Sequence, residues 1–540
     1  MGVTGTAHDR RWSRPSSPAL VLGAVLVAAV PVLLHGRSGD SWFVGDDWSM
    51  LANRSPVHLE SWFRPQNGHW NTLPYAVYRT LYALDGVWHF GWYRLVAVLT
   101  HLAVVAMLWR LLRRIGVPGW VALAAVAPLT VMDDAANMLA PSQMGLNGSV
   151  AFGLAALTAS SHDGPFGRAD VAAVGLGLAS CLCSGLGPVF ALVIGATALV
   201  RRGRRVALLL AGPSLLAQLC WQLVTHARGP APTRVDAARM WAWVREGVTA
   251  TCSAPTGSTI AAVLLFAATT VGFVRHVRRF GAAELRGRLA PVLPLLGGVV
   301  VHFAVTSTQR YYLGDAYART DRYVYVGIVF VLPAIAIAAS ELVVAVEGRA
   351  WAAGALAAVP LLALYVGIPS NVDTLYSPPV IDFGRTKALL LGLPSRPLAA
   401  EVRQDLHPDP VLLTARAVTV GWLRGAAADG DLPPAPPISA DTAAAIDLRL
   451  SLGRWSLPDS STPDCSAVPA SVDLSLRAGD RVRVDRSVLV QRLSEGAVVG
   501  PVVELYLSDR FAPEDTLEAE MDVDVRVSAA DGGELTVCRP

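Results

Sequence analysis

Over roughly its first two-thirds the chain alternates long apolar runs with short polar breaks, and then its pattern changes. Crossing about 30 Å of hydrocarbon takes roughly 20 apolar residues in a helix. Runs able to do this centre on residues 17–36, 92–112, 118–132, 143–160, 169–185, 187–200, 205–224, 258–275, 289–307, 322–344 and 350–367, which predicts a polytopic α-helical membrane protein with about eleven transmembrane helices. "CSGLGP" (183–188) reads either as a tight turn between two short spans or as a break in one long span. After residue 368 prolines and charges rise, and "DLPPAPPISAD" (431–441) reads as a linker. The stretches "AIDLRLSLGRWSL", "SVDLSLRAGDRVRVDRSVLVQRL", "VVELYLSD" and "MDVDVRVSAADGGELTVC" alternate with period two between Gly and Asp turns. They predict a small antiparallel β domain of sandwich type.

Composition strengthens the membrane reading. The chain is 53% hydrophobic and 16% charged, where soluble proteins carry about 25% charge; its mean hydropathy is +0.43. A net charge of +3 argues against nucleic acid as the main partner. Lys387 is the only lysine, a bias that a GC-rich bacterial genome produces without any mechanism. Arg10, Arg11 and Arg14 precede the first apolar run in the manner of a signal peptide. The run is long, lacks a clean small-residue cleavage site and is followed by many others, so it reads as an uncleaved first helix.

Arginine placement sets the orientation. Arg110, Arg113 and Arg114, "RRGRR" (201–205) and "RHVRRFGAAELRGR" (275–288) fall on one side by parity of crossings, which the positive-inside rule makes the cytoplasm. The expected division is a cytoplasmic tail at 1–16, a transmembrane domain at 17–368 with a first outer loop at 37–91, a linker with an amphipathic segment at 369–440, and an extracytoplasmic β domain at 441–540. Cys465 and Cys538 bracket the strands and form a disulfide candidate outside the cell, two unpaired thiols being the alternative. Cys181, Cys183, Cys220 and Cys252 lie in or near apolar runs without accompanying histidines and read as packing residues.

Candidate chemistry concentrates in the first outer loop. "FVGDDWSML" (43–51) places Asp46 and Asp47 side by side among Trp42, Phe43 and Trp48, and the loop also carries His58, Glu60, Arg64, His69 and Asp85. Adjacent acids can divide labour, one ionised and the other hydrogen-bonded, or both can hold a divalent cation. The simpler reading is a solvated turn whose aspartates cap a helix starting near Trp48. The aromatics suit either a membrane interface or stacking on sugar faces.

An acid pair just outside a first transmembrane helix resembles the GT-C class of polyprenyl-phosphate-sugar-dependent glycosyltransferases, among them the protein O-mannosyltransferases and the lipid A aminoarabinose transferases. "SWFRPQNGHWNTLPYAVYRTLYALDGVWHFGWYRLVAVLTHLAVVAMLWRLLRRIG" (61–116) is similar to the run that follows in such proteins, with His101 at their helix-borne histidine. "APLTVMDDAANMLAPSQM" (127–144) resembles their segment with a second acidic residue, and "QRYYLGDAYARTDRYVYVGIVFVLPAIA" (309–336) their Arg-Tyr motif. The resemblance spans about residues 17–345 as pattern and order, and "GRFRP" itself appears here only as "SWFRP" (61–65). The β domain matches no member's periplasmic domain.

The resemblance implies an inverting transfer of sugar from a polyprenyl-phosphate donor to a cell-envelope glycan, lipid or protein at the outer face of a bacterial plasma membrane. It makes Asp46 or Asp47 the base, gives Arg310, Arg319, Arg322 and Tyr323 the lipid phosphate, and leaves Asp133, Asp134, His69 and Arg64 as support for acceptor or donor. His101 is structural in this reading, and His302 and Gln309 are unassigned. No cofactor is implied beyond an optional cation on Asp46 and Asp47. The arginines serve equally as snorkelling interfacial anchors. Two other classes fit the composition: a transporter or lipid-linked-glycan flippase, for which no internal repeat is visible, and a non-catalytic envelope scaffold, which would need neither the acid pair nor the arginines.

Overall fold

The apolar runs fold as helices because a chain in hydrocarbon must satisfy its backbone groups internally. The computed structural model describes residues 41–346 and 383–539, except 44, 53, 131–139, 226–235, 254–255, 257, 409–416, 453, 457–463, 469, 485–487 and 506–514, together with Val25 and Ala29. The apolar run at 350–367 and most of that at 17–36 therefore lie outside the described residues, as does the part of the linker up to residue 382.

In chain order, α1 (Asp46–Leu51) and α2 (Leu59–Phe63) precede α3 (Thr72–Asp85) and α4 (Phe90–Arg114). The apolar series continues with α5 (Gly119–Val126), α6 (Met144–Ser160), α7 (Arg168–Cys183), α8 (Gly187–Arg202) and α9 (Arg204–Thr225). Next come α10 (Ala237–Ser253), α11 (Thr259–Arg279), α12 (Ala282–Leu289), α13 (Val292–Arg310) and α14 (Asp321–Val346). Among the described residues five helical segments are long and apolar enough to cross a membrane: Phe90–Arg114, Arg204–Thr225, Thr259–Arg279, Leu285–Leu313 and Asp321–Leu342. The other apolar helices, α5 to α8, are shorter. "CSGLGP" resolves as a turn: α7 ends at Cys183, Ser184 is extended, and Gly187-Pro188 opens α8.

The chain forms two compact units. The first, within residues 1–39, 62–74 and 94–378, is the helical body. Its centre is α14, where Val324, Tyr325, Val326, Val329, Phe330 and Leu332 are all buried. Lipid tails are as apolar as leucine, so close van der Waals packing holds such helices together rather than escape from water. Gly272 of α11 provides it: a Cβ there would lie 2.5 Å from the Ala338 carbonyl oxygen. The three arginine clusters gather at one end of this unit. Arg114 donates to Ser161 O (3.0 Å), Arg201 to Gly287 O (3.0 Å), and Arg202 forks onto Asp170 at 2.6 and 2.9 Å.

One helix of this unit, α10, occupies part of the stretch 225–257 between the apolar runs at 205–224 and 258–275. It is amphipathic rather than apolar: Trp243, Val244, Gly247, Ala250 and Thr251 are buried while Arg239, Arg245 and Thr249 face outwards. A hydropathy average passes over a helix of this kind because only one face is apolar.

The second unit gathers residues 40–61, 75–93 and 379–540. It thus joins the acid loop to the C-terminal part, where the sequence reading assigned that loop to the transmembrane domain. Residues 383–451 hold α15 (Phe383–Gly392), α16 (Leu398–Glu401), α17 (Val420–Ala428) and α18 (Ala440–Ser451) rather than a bare linker. The strands are β1 (Arg454–Ser456), β2 (Asp464–Val468), β3 (Ser471–Leu476), β4 (Arg481–Val484), β5 (Val488–Ser494), β6 (Ala497–Leu505), β7 (Asp515–Glu518), β8 (Val523–Ala529) and β9 (Leu535–Arg539). They form two antiparallel sheets, ordered β1-β7-β4-β9-β2 and β3-β8-β5-β6. Alternation is clear in β8, whose Val523, Val525, Val527 and Ala529 are buried. The first alternating stretch is a correction: most of "AIDLRLSLGRWSL" is the end of α18. Ser439 caps that helix by accepting from Thr442 N at 3.1 Å, and the alanines of "ADTAAAIDLRLS" favour helix over strand.

Candidate functional site

The acid pair belongs to the second unit. Gly45 turns the chain into α1, and both aspartates occupy that helix's first turn, where the positive end of the backbone dipoles favours carboxylates. The two are not equivalent. Asp47 is 1% exposed, whereas Asp46 is half-buried. Neighbouring positions on a helix point about 100° apart, so burial of one leaves the other turned away. Tyr78 of α3 donates its phenol O–H to Asp47 Oδ1 at 2.5 Å.

An aromatic cluster packs on α1 through Trp48. Trp42, Phe43, Trp48, Phe90 and Tyr93 are buried and meet edge to face, with centroids 4.9 Å apart for Phe43–Phe90 and Phe43–Tyr93 and 5.3 Å for Trp42–Trp48. The polar tips are satisfied: Trp48 Nε1 donates to Phe43 O (3.1 Å) and Tyr93 O–H to Gly86 O (2.7 Å). Burial, and then the charge and hydrogen bond of Asp47, hold the Tyr78 phenol well above its ordinary pKa. Tyr78 therefore remains a proton donor. Arg79 donates to Leu51 O at 3.2 Å and lies 4.8 Å from the Tyr82 ring centre.

The C-terminal segment closes round the same elements. Trp422 of α17 packs against Trp48 (5.9 Å) and Tyr82 (6.2 Å). Trp88 Nε1 donates to Gly430 O (2.8 Å), and Val87 N to Asp431 O (2.9 Å). Burial raises the Tyr82 phenol, with Asp431 adding to the effect. Sequence reasoning missed Tyr78, Trp422 and Asp431. The signal for the first was present in Tyr75, Tyr78 and Tyr82, which share one face of α3 by their spacing.

The cationic candidates belong to the first unit. "QNGH" (66–69) forms a tight hairpin with Asn67 at φ 50° and Gly68 at φ 79°, the conformation that Asn-Gly favours. The hairpin delivers His69 against Gly185, where a Cβ would lie 2.6 Å from His69 Nδ1. Arg310 Nη2 lies 3.2 Å from His69 Nε2. Burial and the charges of Arg310 and Arg322 lower the His69 pKa to about 3, so the imidazole is neutral and Nε2 accepts from the guanidinium. Arg310 and Arg322 stand 5.8 and 5.7 Å from the Tyr323 ring centre. Arg322 also donates to Tyr317 O–H at 2.9 Å. Arg319 stands apart from this set, because Glu246 of α10 forms an ion pair with it.

The remaining candidates sit elsewhere. Asp133 and Asp134 lie outside the described residues. Arg64, His58 and Glu60 are exposed, and Asp85 pairs locally with His89 at 2.9 Å. His101 is buried, with Nδ1 3.0 Å from Tyr325 O–H. His302 is buried beside Tyr323, with ring centres 6.1 Å apart. Trp70 stacks on Trp221 at 5.4 Å and 1°, anchoring the His69 hairpin.

A cation on Asp46 and Asp47 would draw on a donor set that fits it poorly. Asp47 already accepts from Tyr78, and among the described residues no group of three His, Cys, Asp or Glu side chains gathers as metal ligands do. Comparisons with protein-family models, with curated proteins and with solved structures give no match.

Proposed function

We propose that this chain is a multi-pass membrane glycosyltransferase that moves a sugar from a polyprenyl-phosphate donor to a cell-envelope acceptor with inversion. The supporting observation is the asymmetry of the acid pair. Asp47 is buried and held by Tyr78, while Asp46 keeps accessible surface one residue away. A general base needs a carboxylate that an acceptor hydroxyl can reach, and Asp46 meets that need.

In this reading Asp46 takes the proton of the acceptor hydroxyl as its oxygen attacks the anomeric carbon. The bond from that carbon to the phosphate oxygen breaks, and its electron pair leaves with the lipid phosphate. The leaving group is already a stable anion, so cations serve it better than an acid would. Within the helical body, Arg310 and Arg322 carry the guanidinium forks that suit phosphate oxygens, and neutral His69 orients Arg310. The arginine-rich end of the helical body faces the cytoplasm by the positive-inside rule, and the amino terminus lies with it. The C-terminal β assembly is extracytoplasmic.

The test uses purified protein in nanodiscs supplied with polyprenyl-phosphate mannose, arabinose or glucose and an envelope extract as acceptor. Release of lipid phosphate from one of these donors, with an inverted anomeric centre in the product, is expected. No release from any of them, or retention of configuration, would overturn the proposal.

A further inference from the structure

We infer that Tyr78 is a positioning residue for the acid pair: its phenol O–H holds the Asp47 carboxylate, fixes the first turn of α1, and so leaves Asp46 as the carboxylate presented to the acceptor. The inference rests on the glycosyl-transfer reading above.

The geometry carries it. Asp47 is 1% exposed, and an ionised carboxylate buried to that degree without a donor would be costly. The Tyr78 hydroxyl donates to Asp47 Oδ1 at 2.5 Å and so supplies that donor. Tyr78 is itself fully buried, its ring 5.3 Å from that of Tyr93. The Tyr93 hydroxyl donates to Gly86 O, so it does not compete for Asp47. The donor is thus rigid, and it comes from a separate helix.

Among the described residues, the charged or titratable groups around this contact include Asp46 of α1, Tyr75, Arg79 and Tyr82 of α3, Tyr93 of α4, the buried Arg54 beside Tyr75, and Asp431, which acts on Tyr82.

Tyr78→Phe keeps the ring and removes only the O–H. It is assayed in nanodiscs with a polyprenyl-phosphate sugar that the wild type turns over. A fall of about 10- to 100-fold in kcat is expected, with the donor KM unchanged. Tyr78→Phe combined with Asp47→Asn should lose no more than Asp47→Asn alone, as coupled residues do. A wild-type kcat would overturn the inference. If Tyr78→Phe fails to fold, Asp46→Asn and Asp47→Asn decide it together: a larger kcat loss in Asp46→Asn at constant donor KM supports the inference, and a larger loss in Asp47→Asn overturns it. A wild type inactive on every donor would remove the functional reading and the inference with it, whereas an active wild type with an indifferent Tyr78→Phe would remove the inference alone.

Discussion

Arg310 and Arg319 are nine residues apart and chemically identical, yet the fold gives them different partners. Arg310 bonds neutral His69 and lies over Tyr323, while Arg319 is exposed and ion-paired with Glu246. An exposed ion pair is worth about 0–1 kcal/mol, and a guanidinium bond to phosphate about 1.5–3 kcal/mol. Arg310→Ala is therefore expected to raise the donor KM by about 10- to 100-fold, and Arg319→Ala by less than about fivefold. Equal effects in titrations with donor lipid would refute that division. The acid pair was legible in the sequence because two aspartates among tryptophans are conspicuous. Its asymmetry was not, because the residue that creates it, Tyr78, lies 31 positions away; the spacing of Tyr75, Tyr78 and Tyr82 marks a shared face of α3 but does not name Asp47 as the partner.

At the scale of elements, hydropathy located apolar helices, but among the described residues five segments, against the expected eleven or so, are long and apolar enough to cross a membrane. It failed where two signals compete. In α18 a period-two alternation coincided with a capped, alanine-rich segment, and local helix energetics won. In α10 one apolar face was averaged away. The strands were read correctly where turns punctuate them, and their register adds information. Cys465 stands directly opposite Cys538 in the β2–β9 pair. Directly opposed antiparallel residues have Cα atoms about 4.5–5.5 Å apart, within the roughly 4.4–6.8 Å range of disulfides. A bridge is expected in protein recovered from the membrane without reductant, with both cysteines resisting alkylation until reduced. Alkylation of both beforehand would contradict it. Closing so long a loop stabilises by about 4 kcal/mol, so Cys538→Ser should lower the melting temperature of the β assembly.

At the scale of the molecule, the acid loop packs with the C-terminal part and the cationic set with the helical body. Contact partners distant in sequence, such as Trp48 with Trp422 and Trp88 with Gly430, define this division, and no linear pattern announces them. One whole-molecule feature was legible: the three arginine clusters that parity placed on one side do meet at one end of the helical body. The division also separates two measurable properties. Trp422→Ala removes a ring packed on Trp48 and Tyr82 and should cut turnover severalfold by loosening α1, a truncation of this size costing up to about 3–5 kcal/mol when fully buried. Donor affinity should stay at the wild-type value. Loss of donor affinity with kcat intact would show that the two properties do not divide this way.

The most direct measurement compares wild type and Asp46→Asn in nanodiscs, following lipid-phosphate release in a single turnover of a donor that the wild type consumes. Removing a general base typically costs about 10²- to 10⁴-fold, and a loss in that range with donor affinity preserved is the expected result. Equal single-turnover rates for the two proteins would contradict the assignment of Asp46 as the base.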